Sequence, residues 1–106
     1  MPLTRHFKET IQARVQTDST FRQGLFEEAV QCLLLGDLET GKSILRDTIN
    51  ATIGFDDLGK KTKKSPKSLM RMFSDAGNPQ ARNLLQVIAL LQDAIGVQIR
   101  VQALPV

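Results

Sequence analysis

The segment from Leu84 to Ile95 most constrains what this chain can fold into. Nine of its twelve residues are apolar (Leu84, Leu85, Val87, Ile88, Ala89, Leu90, Leu91, Ala94, Ile95). That run is too short to cross a bilayer, which takes about 20 residues, and a helix apolar nearly all round is expected to be buried on more than one side. With 106 residues in all, the chain can surround that helix with one core but not build two.

The rest of the chain reads as helices with punctuation. Thr4 can cap a first helix to about Val15, with Phe7, Ile11 and Val15 on one stripe. Asp18 starts a second, whose apolar stripe (Phe21, Leu25, Phe26, Ala29, Val30, Leu33, Leu34) ends at Gly36. Asp37 caps a third, with Leu38, Ile44, Leu45, Thr48, Ile49 and Thr52 on one side, running to Ile53. A short fourth helix carries Asp56 and Asp57 in its first turn and Phe55, Leu58 and Gly59 inward, and runs to about Thr62. A short fifth opens at Ser65-Pro66, a good N-cap followed by a residue preorganised for the first turn, with Leu69, Met72 and Phe73 inward. Asn78-Pro79 predicts the same start for a sixth helix, from Pro79 to Ile95. After Gly96 the period changes to two, and Val97 to Gln102 alternate as a half-buried strand does. The chain offers this strand no partner, so it is expected to pair with its equivalent in a second subunit; lying against the helices of its own monomer is the plainer alternative.

The charge is concentrated. The formal net charge is +3, yet Lys60, Lys61, Lys63, Lys64, Lys67 and Arg71 fall within twelve residues that hold no acid. Eight basic residues face eleven acidic ones elsewhere, a balance of −3. Such a cluster is an electrostatic footprint for a polyanion or, more plainly, a solvated face. Here it falls on two short helices joined by a tight turn, the second basic on its outer side, which is the helix-turn-helix pattern. Gly59 lets the first of them approach closely. Leu69, Met72 and Phe73 anchor the second, leaving Lys67, Ser68, Met70 and Arg71 outside.

On these residues the chain resembles the addiction-module antidotes, a family of lambda-repressor-like proteins. The matching elements are Leu58-Gly59, Ser65-Pro66-Lys67-Ser68-Leu69-Met70-Arg71, Gly77-Asn78-Pro79 and Leu84-Leu85-Gln86-Val87-Ile88. They lie within about Leu34 to Val101, and the most specific part is the Gly-Asn-Pro followed at a fixed distance by Leu-Leu-x-Val. Two features depart from the family pattern. Gly59 stands where Ala is usual, and Lys63-Lys64 replace a turn that usually has a glycine and an apolar residue. A lysine thus falls where a left-handed conformation is often needed, which predicts a looser turn. The resemblance implies an all-α, lambda-repressor-like helix-turn-helix bundle of five to six helices with a short C-terminal β-strand. It also implies a dimeric regulator that represses its own operon and neutralises a co-encoded toxin.

Within that reading Arg71 and Lys67 are the candidates for guanine edges in the major groove. Ser68 can meet a base or a phosphate, and Met70 a thymine methyl. Lys60, Lys61, Lys63, Lys64 and Arg82 suit backbone phosphate, and Ser65 with the amides beside Pro66 can meet one at the helix start. The polyanion is expected to be double-stranded DNA, because the five Phe all fall at inward positions, leaving none on which single-stranded bases could stack.

Catalysis, a metal and a cofactor are not expected. One Cys and one His (Cys32, His6) make no zinc set. Gly54 to Lys60 copies the start of a P-loop, but Lys61 replaces the Ser or Thr that binds magnesium. Glu27-Glu28 and Asp56-Asp57 are adjacent, so on a helix they diverge by about 100°. With neither a signal peptide nor a spanning segment in view, the protein is expected in the cytoplasm, on the nucleoid and away from membrane. The organisation expected is a single domain. Residues 1–36 form N-terminal helices and a candidate partner surface, and 37–106 the DNA-binding region. The alternative is a toxin-neutralising protein-interaction module with weak or no DNA binding, using Phe7, Ile11, Phe21 and Phe26.

Overall fold

Three helices begin where a side chain replaces a missing backbone partner. In the computed structural model, which describes residues 9–11, 13–14 and 17–106, Asp18 accepts a hydrogen bond from the Phe21 amide at 3.0 Å and opens α1 (Ser19–Leu34). Asp37 accepts from the Thr40 amide at 3.2 Å and opens α2 (Leu38–Ala51). Ser65 accepts from the Ser68 amide at 3.0 Å and opens α4 (Pro66–Met72), with Pro66 in its first turn. Between α2 and α4 lies α3 (Gly54–Thr62), and the last helix is α5 (Ala81–Ile95), ended by Gly96. The described residues before Asp18 are helical as well; Thr4, Phe7 and Val15, on which the expected first helix rested, lie outside the described residues.

The fold is all-α, and no strand occurs among the described residues. The core draws on each of α1 to α5: Phe26 and Ala29 from α1, Leu45 and Ile49 from α2, Phe55 and Leu58 from α3, Leu69 and the cap residue Phe73 from α4, and Val87, Leu91 and Ile95 from α5. Each Leu or Phe withdrawn from water here contributes about 1.5–3 kcal/mol. The rings of Phe55 and Phe73 meet at 6.3 Å and a tilt of 54°, tying α3 to the end of α4. No helix among the described residues is long and apolar enough to cross a membrane.

The observed structure differs from the sequence expectation at three places. Helix α5 starts at Ala81 with Gln80 at its N-cap, so Asn78-Pro79 is neither cap nor first turn. Helix α5 also leaves part of its apolar surface in water: Leu85 is 62% exposed, and Ala89 and Ala94 are exposed. The segment 97–106 has no regular secondary structure. Its period of two survives as alternating burial, with Val97 and Ile99 half-buried against the core and Gln98 and Arg100 exposed. The Ile99 amide donates to Gln92 Oε1 at 2.8 Å, fastening the segment to α5.

Candidate nucleic-acid interface

Helices α3 and α4 sit against each other because Gly59 has no side chain. A Cβ there would stand 2.7 Å from the Lys64 carbonyl oxygen and 3.4 Å from the Pro66 ring, so the alanine usual in the resembling family does not fit this turn. The turn itself is closed rather than loosened. The Gly59 carbonyl accepts from the Lys63 amide and from the Lys64 amide, the latter at 3.1 Å. Thr62 Oγ1 donates to the Leu58 carbonyl at 2.8 Å. Lys63 makes this closure by taking φ 59° and ψ 33°, and it alone among the described non-glycine residues has a positive φ.

The cations of this region are exposed together. Lys60, Lys61 and Lys63 are exposed and Lys64 is half-buried; Lys60, Lys63 and Lys64 share the lining of one open groove with Asp56 and Pro66. Lys60 lies 3.9 Å from Asp57, but both side chains are largely in water (81% and 64% exposed), so this pair is weak. On α4, Leu69 and Phe73 are buried and Met72 half-buried, while Lys67, Ser68, Met70 and Arg71 face solvent, Met70 at 50% exposure. Arg82 is exposed in the first turn of α5. Ser65 is exposed, but its oxygen is occupied by the cap to Ser68.

Two cations that sequence reasoning missed lie beneath this surface. Lys42 is 1% exposed, and its ammonium donates to the carbonyls of Gly77 at 2.6 Å, Ser74 at 2.9 Å and Asp75 at 3.4 Å. Glu39 Oε1 approaches it to 3.5 Å. Arg46 Nη1 donates to the Phe73 carbonyl at 3.2 Å. Both come from α2 and answer carbonyls at and just beyond the end of α4. The signal in the sequence was Lys42 itself, which stands between Leu38 and Leu45 on the inward stripe of α2, where a solvated lysine has no place.

No group of three or more His, Cys, Asp or Glu among the described residues could hold a metal ion. Cys32 is buried, with its thiol 3.8 Å from Glu28 Oε1. Burial pushes that thiol up from its ordinary range, and the carboxylates of Glu28 and Asp37 add to the shift, which disfavours the nucleophilic thiolate. His6 lies outside the described residues. No protein-family model, no curated protein and no solved structure matches this chain.

Proposed function

We propose that this protein is a sequence-specific, double-stranded-DNA-binding regulator. In this reading α3, the turn and α4 form a lambda-repressor-like helix-turn-helix in which α4 enters the major groove. The observation that carries it is the arrangement of Lys60, Lys61, Lys63, Lys64, Lys67 and Arg71. Six cations with no acid among them occupy the end of α3, the turn and the outer side of α4, while Leu69 and Phe73 hold the inner side in the core. Arg71 and Lys67 read base edges; Lys60, Lys61, Lys63, Lys64 and Arg82 meet phosphate.

The regulator acts as a homodimer in the cytoplasm. The backbone amides of Arg100, Val101 and Gln102 have no hydrogen-bond acceptor among the described residues, and Val101 is 79% exposed. A second copy pairing antiparallel along 97–102 would supply acceptors on one edge, to the amides of Arg100 and Gln102, and would cover Val101. Two recognition helices about 34 Å apart then enter successive major grooves of a palindromic site and block polymerase. The motif resemblance supports a role as the autorepressing antitoxin of a toxin–antitoxin operon.

A gel shift with the DNA immediately upstream of its own gene tests the reading. A specific complex at low salt is expected, weakening with a log–log salt slope of about −7 for four phosphate contacts per protomer. Folded protein that shifts no DNA at low salt overturns it. A second reading, a toxin-neutralising interaction module, is favoured by Leu34 and Leu35, which stand 65% and 74% exposed at the end of α1. It expects copurification with a small protein encoded beside this one, and coexpressed proteins that separate on purification would remove it.

A further inference from the structure

We infer that Lys42 and Arg46 are positioning residues for α4: from beneath, they fix the C-terminal end of the helix that carries Lys67, Ser68 and Arg71, and so set the angle at which it meets DNA. The inference rests on the DNA-binding reading above and adds to it the groups that orient the reading helix.

Helix α4 has seven residues, far too few to hold its shape or direction by itself. Its apolar anchors are Leu69 and, at the cap, Phe73, with Met72 half-buried. These three hydrophobic contacts, crowded within about one turn, set the depth of the helix but fix its direction only weakly. The ends must therefore be fixed by directional bonds. At the N-terminal end this is the Ser65 cap. At the C-terminal end it is the pair of cations on α2.

The chemistry there is specific. An ammonium has three N–H donors and no acceptor, and Lys42 meets three carbonyls, those of Ser74, Asp75 and Gly77. Arg46 holds the Phe73 carbonyl. Both positive charges sit at the negative end of the α4 dipole. Gly77 makes the convergence possible, because a Cβ there would collide with the carbonyls of Arg71 and Met72. The Arg71 carbonyl in turn accepts from Ser74 Oγ at 2.7 Å and from the Ser74 amide at 3.2 Å. The backbone of the leading base-reading candidate is thus bonded to Ser74, whose own carbonyl Lys42 holds. A core requiring only volume at position 42 would take a leucine or methionine at no desolvation cost.

The test uses the full-length protein and three variants: Lys42→Met, Arg46→Ala and Arg46→Lys. Each is assayed where circular dichroism shows it folded, by affinity for the upstream operator and for random DNA, and by amide hydrogen exchange. Lys42→Met is expected to lose roughly tenfold in the operator-to-random ratio, as when one base contact is lost. Random-DNA affinity is expected to stay unchanged, since every surface cation remains. Exchange should quicken at the Phe73, Ser74 and Gly77 amides and not in α1. Arg46→Ala should move in the same direction and Arg46→Lys should restore the ratio. If Lys42→Met does not fold, the Arg46 pair carries the test. Folded variants that keep the wild-type ratio overturn the positioning role alone; a wild-type protein with no operator preference overturns the DNA-binding reading and the inference with it.

Discussion

Replacing Lys63 with glycine should make this protein more stable and a weaker DNA binder. Lys63 sits at φ 59° and ψ 33°, where an L-residue with a side chain pays for the closeness of Cβ to its own carbonyl. That conformation costs about 1–2 kcal/mol for a residue other than glycine. Glycine relieves it but returns about 0.4–1 kcal/mol through its greater freedom in the unfolded chain. The exposed lysine also places positive charge just past the end of α3, a favourable term of about 0.3–1 kcal/mol that salt screens. At moderate salt the balance is a gain of about 0.5 kcal/mol, which for a chain of this size raises Tm by about 2–4 °C. In the proposed DNA complex the same change would remove one phosphate contact per protomer. The salt slope of the dimer should fall from about −7 to about −5, with operator and random DNA weakened alike.

Thermal unfolding followed by circular dichroism and fluorescence anisotropy at several salt concentrations measure the two effects separately. Lys61→Ala is the control, since Lys61 is exposed inside α3 with no left-handed conformation to relieve. It should lower the slope by the same amount without raising Tm. A Lys63→Gly protein that melts below wild type would refute the assignment of strain to this residue. An unchanged slope would refute its contact with phosphate.

Gly59→Ala should destabilise by about 1–3 kcal/mol in urea unfolding, because the new Cβ lands 2.7 Å from a backbone carbonyl that closes the turn; an unchanged midpoint would mean the turn yields freely. Arg71→Ala should relax sequence preference at its base pair by about 1–3 kcal/mol, whereas Lys61→Ala should weaken all DNA about equally; identical profiles for the two would remove the division between base and phosphate contacts. For Cys32 the folded thiol binds its proton more tightly than the unfolded one. Its contribution to stability is therefore complete below the unfolded value of 9.0 and is lost as pH rises beyond it. Cys32→Ala should accordingly flatten the fall in stability at alkaline pH, and alkylation of the native thiol at neutral pH should be far slower than in urea; equal rates would show the thiol is not shielded.

What was legible in the sequence was whatever short-range rules decide. Asp18, Asp37 and Ser65 cap the helices they precede because an acceptor side chain meets an amide three residues on. The Lys63 turn was legible only in part: a lysine in a left-handed conformation was expected with a looser turn, and the turn is instead closed by the Lys63 and Lys64 amides on the Gly59 carbonyl. Asn78-Pro79 shows where such rules stop. It has the same form as Ser65-Pro66, yet α5 begins two residues later. The chain before it is claimed by Lys42, which holds the Gly77 carbonyl across a sequence separation of 35 residues. A local pattern carries no information about that competitor. The C-terminal alternation was read as a strand for a related reason. Periodicity reports which side chains face the core, and Val97 and Ile99 do, but a ladder requires a partner that periodicity does not supply.

Lys42, Gly77 and Ser65 answer one physical problem. A helix that reads DNA must leave most of its surface in water, and α4, the proposed reading helix, buries little beyond Leu69 and Phe73, so hydrophobic burial can attach it but cannot aim it. Aiming falls to hydrogen bonds at its two ends, the exposed Ser65 cap at one and the buried Lys42 ammonium at the other. The result is a separation of the chain's cations by burial. Lys60, Lys61, Lys63, Lys67 and Arg71 are solvated, and in the proposed DNA-binding reading they supply attraction that salt can screen. Lys42, 1% exposed, lies beyond the reach of salt and supplies orientation. Raising ionic strength should therefore weaken operator and random DNA together while leaving their ratio nearly constant. The ratio should respond to changes at position 42 or 46 at any salt concentration, and a ratio that collapsed with salt in the wild-type protein would show that the surface cations aim the helix as well as attract the DNA.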